Sequence, residues 1–278
     1  MPRNTFRGVV HMTTKQLALR RPDTCVLCGI ELEAGVRAVW DSVARTVRCI
    51  ECPMREVEAG TAGASARAKG TRLRERELAQ RAKLKEEHPV LGRLSLAVKG
   101  APTSGSSWLK GADGEERFGR LLDSWHDLGI LPLHDRKVPN SRANFDHVVV
   151  TANGVWVIDA KEYKGKITFR ERGDWFNTKP RLMVGGRLET RLIKSMQTQR
   201  ARIEAILAGA GFGGVPVHAA LCFIKGDWPT LMARPETVND VIVSWPKGFK
   251  PLLTAPGDVD AARRDALHRH LAKVLPAK

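Results

Sequence analysis

The spacing of apolar residues changes along the chain and separates an N-terminal region from a larger region of mixed pattern. From residue 111 onward, stretches with helical spacing alternate with the short apolar runs that are typical of buried strands. Phe118, Leu121, Leu122 and Trp125 recur at intervals of three and four residues, as on one face of a helix. The pattern predicts helices at 112–126, 190–208 and 258–274, strands at 145–150, 155–161, 215–224 and 241–245, and further β-like stretches within 166–183.

The N-terminal region shows two β-like runs, at 37–40 and 46–48, and then a long helical stretch. Residues 65–87 are nearly all good helix formers but carry no apolar stripe, so we expect a helix that is exposed on most faces. In this helix and the six residues after it, nine Lys and Arg outnumber four Glu. The helix is either a solvated spacer or a contact for nucleic acid. Small and polar residues mark linkers on both sides of it, at 59–66 and 99–107.

The net charge of the chain limits the classes of molecule that it is expected to bind. The 278 residues include 46 Lys and Arg against 30 Asp and Glu, which gives a net charge of +16. A surface this basic favours polyanions, with nucleic acid ahead of an anionic membrane. No apolar run is long enough to span a bilayer, and residues 1–15 lack the apolar core of a secretion signal. We therefore expect a cytoplasmic protein that binds nucleic acid and no membrane.

Four of the five cysteines form two pairs, Cys25-x2-Cys28 and Cys49-x2-Cys52, with twenty residues between the pairs. Two residues between thiolates allow one tight turn to direct both sulfurs at a single ion, and a second such turn completes a tetrahedron. Because the cytoplasm is reducing, disulfides are disfavoured. The spacing predicts a structural zinc ion in a treble-clef or zinc-ribbon knuckle. Cys222 stands alone in an apolar run, where packing is its expected role.

Two acids and a lysine interrupt the apolar strands at 145–150 and 155–161. Asp159 and Lys161 are two residues apart on one strand, so they share a face. If 151–154 is a four-residue loop, Val150 pairs with Val155 and Asp146 lies opposite Asp159; a two-residue turn at 153–154 would instead place Asp146 opposite Lys161. Two neighbouring carboxylates tolerate each other when a divalent cation bridges them, and oxygen ligands suit Mg²⁺ or Mn²⁺. The alternative is a structural salt bridge at a strand end.

Two further polar residues fall on apolar helix faces. Glu115 precedes Phe118 by three residues and Leu122 by seven, so it lies on the buried stripe of its helix, whereas Glu116 points away. Gln199 likewise falls on the stripe of Met196 and Ile203. Glu115 is then either a partner for the strand acids or a first-turn acid at a helix N-terminus. Gln199 is either a site residue or a buried amide that bonds to the backbone.

Several segments resemble the NERD (nuclease-related) domain of the PD-(D/E)XK nuclease-like superfamily. The segments that carry the resemblance are GADGEE at 111–116, FDHVVV at 145–150, GVWVIDAK at 154–161 and YKG at 163–165. The resemblance covers residues 111–207, and the whole chain is similar to actinobacterial NERD proteins with an N-terminal four-cysteine zinc module and a basic helix. Many NERD domains have Glu where this chain has Asp159, and the shorter side chain would change the geometry of a bound metal.

The resemblance implies a fold and an order of domains. It predicts an α/β chain with a restriction-endonuclease-like core, a central mixed sheet flanked by helices, to which a small zinc-knuckle module and a connecting basic helix are added. Residues 1–58 would be the zinc-binding module, 59–107 the basic helix with its linkers, and 108–278 the nuclease-like domain.

The resemblance also implies a function and a site. Glu115 matches the acid of the first helix, Asp146 the acid of the second strand, Asp159 and Lys161 the D/E-x-K element, and Gln199 the glutamine of the following helix. It implies a Mg²⁺- or Mn²⁺-dependent nuclease that hydrolyses DNA, with Asp146, Asp159 and Glu115 as metal ligands. The alternatives are a non-catalytic nucleic-acid-binding module of the same fold, a ribonuclease with the same site, and a structural protein whose zinc module docks a partner.

Overall fold

A computed structural model describes residues 14–26, 30–43, 45–50, 57–89, 103–172, 179–228 and 234–278. The chain is of mixed α/β type, and its elements fall into a small N-terminal module, a pair of packed helices and a larger α/β core.

The core is built on a six-stranded mixed sheet. Its strands are β6 (Leu131–Lys137), β7 (Asn144–Thr151), β8 (Gly154–Lys161), β12 (Val217–Phe223), β14 (Glu236–Val238) and β15 (Val241–Ser244), in the order β14-β15-β12-β8-β7-β6. Three strands, β6, β7 and β8, run as an antiparallel meander, whereas β12 is parallel to both β8 and β15. The carboxyl ends of β8, β12 and β15 therefore meet at one end of the sheet.

Helices cover both faces of this sheet. They are α2 (Ser106–Asp123) and α4 (Phe249–Leu253) on one face and α3 (Thr190–Gly209) and α5 (Ala261–Val274) on the other. Because neighbouring residues of a strand point to opposite faces, Val148 packs with α3 and α5, whereas Val149 packs with α2 and α4. A central mixed sheet between helices confirms the predicted restriction-endonuclease-like core.

A second sheet of four strands adjoins the core where β8 ends. Its strands are β9 (Gly165–Arg172), β10 (Lys179–Val184), β11 (Arg187–Leu188) and β13 (Gly226–Asp227), in the order β11-β10-β9-β13. One face is apolar, since Ile167, Leu182 and Val184 are buried in the core cluster beneath α3.

The N-terminal module holds two small sheets. Strands β1 (Thr14–Ala18), β4 (Arg37–Asp41) and β5 (Thr46–Cys49) form one, and β2 (Asp23–Thr24) pairs with β3 (Glu31–Leu32). The module has its own small core of five buried residues, namely Leu19, Cys25, Leu32, Ala38 and Val47. The predicted β-like runs at 37–40 and 46–48 are thereby confirmed, whereas β1 was not predicted.

The basic helix is α1 (Ala64–Glu87), and it is largely exposed, as predicted. Its N-terminal half packs closely against α2, because Gly70 and Gly105 allow the two backbones to touch; a Cβ at Gly105 would lie 2.2 Å from the carbonyl oxygen of Gly70. The predicted start of α2 at residue 112 is wrong, since the helix begins at Ser106, inside the stretch interpreted as a linker. A run of Ser and Gly without a core-facing apolar residue hides this first turn.

A buried acid joins α1 to the core. Asp135 on β6 adopts φ 47° and is 1% exposed. Its carboxylate accepts hydrogen bonds from the backbone amide of Ser65 (2.5 Å), from the Ser65 hydroxyl (2.8 Å) and from Asn144 Nδ2 (2.6 Å). Since Ser65 lies in the first turn of α1, Asp135 supplies the N-terminal cap that the helix's own residues do not provide.

Candidate active site

The strand acids meet at the end of the sheet where β7 begins and β8 ends. Val150 pairs with Val155 and His147 pairs with Ile158. The same register, continued by one residue, places Asp146 opposite Asp159, which is the first of the two predicted alternatives. The second, with Asp146 opposite Lys161, is wrong, because Thr151 pairs with Gly154 and only residues 152 and 153 form the turn. Asn153 fixes this turn by donating from Nδ2 to the Leu252 carbonyl oxygen (2.8 Å).

Lys161 supplies the positive charge of this cluster. Its ammonium group forms an ion pair with Asp159 Oδ1, and the Asp159 side chain is buried. Asp146 Oδ2 accepts a hydrogen bond from the Ala160 amide (3.2 Å), which holds the carboxylate across the strand pair. Burial alone would lower the pKa of Lys161, but the carboxylates of Asp159 and Asp146 outweigh that effect and raise it. Lys161 is therefore a permanent cation.

Glu115 is buried on α2, at 9% exposure, as the helical phase predicts, whereas Glu116 forms an ion pair with Arg67. The Glu115 Oε2 atom is enclosed and has no hydrogen-bond partner among the residues that the structure describes. Burial, opposed by Lys161 and assisted by Asp159, raises the pKa of Glu115 to about 7. Glu115 thus belongs to the same electrostatic cluster as the strand pair.

Asp146 is the third acid of the group. Burial and then the charges of Asp159 and Glu115 raise its pKa well above the usual range, and its carboxyl lies within hydrogen-bonding reach of Asp159. Three acids thus face one ammonium group. In the described part of the chain, no three His, Cys, Asp or Glu side chains are arranged as a ready-made metal site.

Gln199 lies on α3 and is partly buried, whereas Gln197 is exposed, as the helical phase predicts. Its amide makes no hydrogen bond to any residue that the structure describes. The structure therefore places Gln199 on the α3 face of the sheet, the face that the even-numbered residues of β7 share, without joining it to the carboxylates.

Sequence reasoning missed Glu162, which follows Lys161 directly. Its side chain is 7% exposed and forms ion pairs with Arg117 Nη2 (3.1 Å) and with Lys225. Its Oε2 atom is buried and has no partner among the described residues. Glu162 thereby ties α2, β8 and the end of β12 together beside the site. A second acid three residues after Asp159 was the signal available in the sequence.

A chain of buried polar groups runs behind the site and was also missed. His134 Nδ1 lies 2.9 Å from His147 Nδ1, and His134 Nε2 lies 2.9 Å from Asp123 Oδ1. Burial lowers the pKa of His147 well below its usual value. His147 is thus a neutral core residue on the face opposite to Asp146, and it joins β6, β7 and α2.

In the module, Cys25 and Cys49 lie together, with their sulfur atoms 3.4 Å apart. This separation is too long for a disulfide and close to the roughly 3.8 Å between two thiolates on one tetrahedral zinc ion. Cys28 and Cys52, the other two predicted ligands, lie outside the described residues. Cys222 is fully buried in the core, as predicted.

Comparison with known proteins identifies the region that contains the site. The family model for NERD, the nuclease-related domain, matches residues 110–224, which extend from the start of α2 to the end of β12 and include Glu115, Asp146, Asp159, Lys161 and Gln199. No curated protein and no solved structure gives a significant match to the chain. Within the described residues, no helix is both long and apolar enough to cross a membrane. This match of residues 110–224 to the nuclease-related domain indicates a nuclease-related function and nucleic acid as the class of partner.

Proposed function

We propose that the protein is a metal-dependent nuclease that hydrolyses phosphodiester bonds in DNA. One observation carries the proposal: within the nuclease-related domain, the buried carboxylates of Asp159 and Glu115 and the half-buried carboxylate of Asp146 interact electrostatically with one another and with the Lys161 ammonium group at the end of the central sheet. A salt bridge needs only one acid for Lys161. Asp159 raises the pKa of both further acids and Glu115 also raises that of Asp146. This repulsion destabilises the metal-free site, so the presence of three acids in one cluster favours the binding of a second cation.

The donor set suits Mg²⁺ or Mn²⁺. All available atoms are carboxylate oxygens, which these ions prefer, and Glu115 Oε2 is buried without a hydrogen-bond partner in the described chain. Asp146 and Asp159 would hold the ion, with Glu115 as a direct or water-mediated ligand. A divalent ion in such a site polarises the phosphate and lowers the pKa of a bound water.

Three groups of the protein would assist the metal ion in the hydrolysis. Lys161 stays protonated, so it can neutralise negative charge that develops on the phosphate or orient the attacking water, but it cannot act as a base at neutral pH. The Ala160 amide holds Asp146 in place. Gln199 would orient the water or Lys161 from α3.

We further propose that the N-terminal module binds one structural zinc ion through Cys25, Cys28, Cys49 and Cys52. The proximity of Cys25 and Cys49 supports this, and so does the small apolar core around them. Four thiolates fill the tetrahedron, so this ion would have no open position for a reaction.

A cleavage panel tests the proposed activity. Purified protein is incubated with labelled duplex, nicked, branched and single-stranded DNA and with matched RNA, with Mg²⁺, Mn²⁺ or EDTA. We expect metal-dependent cleavage of at least one DNA form, and Lys161→Ala should reduce its rate by about 10³-fold, since it removes the charge closest to the reacting phosphate. Lys250→Ala removes an exposed lysine from α4 and should leave the rate unchanged.

The other outcomes identify the alternatives. Metal-dependent cleavage of RNA alone would make the protein a ribonuclease with the same site. Binding without cleavage of any substrate would make it a non-catalytic nucleic-acid-binding module. Cleavage that survives both EDTA and Lys161→Ala would contradict the proposed site.

A further inference from the structure

We propose that the outer face of the β9–β10 hairpin is the surface that binds the backbone of duplex DNA, and that Arg170 and Arg181 are its central phosphate contacts. The proposal rests in part on the proposed function, because it names the surface that would bring the substrate to that site.

The hairpin is placed next to the candidate site by the chain itself. Strand β9 begins at Gly165, four residues after Lys161, and the Ile224 amide donates to the Lys161 carbonyl oxygen (2.9 Å). Gly226 then pairs with Gly165, which fixes β13 beside β9. A backbone that lies along this hairpin would therefore reach the end of β8, where the carboxylates lie.

The two faces of the hairpin differ in polarity towards its tip, whereas nearer the base Met183 is buried on the outer face as well. Ile167 and Leu182 are buried on the inner face, whereas Arg170 and Arg181 are exposed on the outer face. Arg170 lies directly opposite Arg181 in the antiparallel register. In such a pair the Cβ atoms are about 4.5–5.5 Å apart, and like charges placed there destabilise the sheet. The arginine pair therefore has a structural cost unless an anion lies between the two side chains.

No protein carboxylate supplies that anion among the side chains that the structure describes. Arg170 and Arg181 form no ion pair there, and neither do five other exposed cations of the same segment, namely Lys164, Lys166, Arg187, Arg191 and Lys194. Residues 164–194 contain nine Lys and Arg against three Asp and Glu, which gives a net charge of +6 over 31 residues. Among the side chains that the structure describes, the segment is therefore a concentrated positive patch without ion pairs.

The basic helix α1 differs in this respect, although its sequence charge is similar. Arg67 is paired with Asp113 and Glu116, Arg81 with Glu77, and Lys83 with Glu87. Lys69 lies over the ring of Trp108 at 3.7 Å. Half of its eight cations are thus engaged within the protein, so the hairpin is the better candidate for phosphate contacts.

DNA binding with cleavage blocked tests the inference. All proteins carry Asp159→Asn, and their affinity for a labelled 30-base-pair DNA duplex is measured by anisotropy at several KCl concentrations between 50 and 200 mM. The test protein adds Arg170→Gln and Arg181→Gln. The matched control adds Arg202→Gln and Lys250→Gln, which removes the same charge from two exposed positions on α3 and α4.

We expect the arginine-pair variant to bind at least tenfold more weakly at 100 mM KCl and the control to bind within about twofold of the parent. The slope of log K against log salt should fall by about 1.8 for the pair, since each lost phosphate contact removes about 0.9. Each single variant should lower the slope by about 0.9, which keeps the test valid if the double variant fails to fold. Equal weakening by the pair and the control, or an unchanged slope, would overturn the inference.

Two further arms separate the possible ligands and the two proposals. A matched RNA duplex should respond less to the arginine-pair variant than DNA does; a response confined to RNA overturns the assignment to DNA. Because the binding assay needs no hydrolysis, a wild-type protein that cleaves nothing would refute the proposed nuclease without affecting this result. A protein that cleaves DNA but binds it independently of the pair would refute this inference alone.

Discussion

The N-terminal module and the α/β core are stabilised in different ways. The core buries two apolar clusters of 27 and 12 residues, one on each face of its central sheet, whereas the module buries five residues around Cys25. A core of that size can hold three mutually repelling carboxylates at one end of its sheet. The module has no apolar core of comparable size, so its stability depends on a few polar and sulfur contacts. We therefore expect polar substitutions to unfold the N-terminal region but to change mainly the function of the core.

The largest expected effect is the loss of the module's cysteine cluster. Cys25→Ser should reduce bound zinc from about one ion per chain to none and should abolish amide protection in β4 and β5, because such modules depend on their metal for folding. The measurements are metal analysis and hydrogen exchange. Cys222→Ala is the control: it removes a buried thiol from the core and should retain the zinc. Full zinc content in Cys25→Ser would contradict the expectation that the module depends on its cysteine cluster.

The next effect concerns the attachment of α1. Asp135→Asn removes the charge that accepts two hydrogen bonds from Ser65, and we expect it to lower the free energy of unfolding by about 1–3 kcal/mol. Amide protection in the first turn of α1 should fall at the same time. Asp113 on α2 forms a half-exposed ion pair with Arg67 on α1. Asp113→Asn breaks this pair and should lower the free energy of unfolding by less than about 1 kcal/mol. Equal losses of stability in the two variants would show that the Asp135 contacts contribute no more than a surface ion pair.

A substitution in the core should change the free energy of unfolding in the opposite direction. Asp146→Asn relieves like-charge repulsion, so the metal-free protein should be as stable as the parent or more stable by about 1 kcal/mol. Mg²⁺ at about 100 times its dissociation constant should stabilise the parent by about 2.7 kcal/mol and the variant hardly at all. Thermal unfolding with and without metal measures both. A large destabilisation of metal-free Asp146→Asn would identify a structural salt bridge.

The contrast also explains which parts of the molecule could be predicted from sequence. The phase of α2 placed Glu115 inward and Glu116 outward, and the strands β7 and β8 were predicted within one residue at either end, because apolar periodicity reports directly on burial. The sequence left two registers open for Asp146, and these were separated only by the turn that Asn153 fixes against Leu252.

The features that could not be predicted depend on contacts between elements that are distant in the sequence. Strand β6 was missed because its buried positions include His134, Asp135 and Arg136, whose polar groups are satisfied by His147, Ser65 and carbonyl oxygens of residues 58, 272 and 275. No local pattern shows such partners. The lack of ion pairs among the described cations of the β9–β10 hairpin likewise cannot be seen in composition, since α1 has a similar net charge but half of its cations contact other groups of the protein.

The smallest expected effect is the contribution of His268 to core stability in mild acid. His268 on α5 is partly buried and its Nε2 lies 3.1 Å from the Pro132 carbonyl oxygen, and burial lowers its pKa below the usual value of 6.5. Above pH 6.5 it is neutral in both the folded and the unfolded chain. Below that pH the unfolded chain takes up a proton first, so stability falls by at most about 1.4 kcal/mol per pH unit until the pKa of the folded state is reached. His268→Gln keeps a donor for Pro132 and should reduce this slope between pH 6.5 and 5, as measured by urea unfolding. His88→Gln, at an exposed position after α1, is the control and should leave the slope unchanged. Residues 14–50 contain no histidine, so a slope that persists in His268→Gln and is lost with the module would assign the acid sensitivity to the cysteine cluster instead.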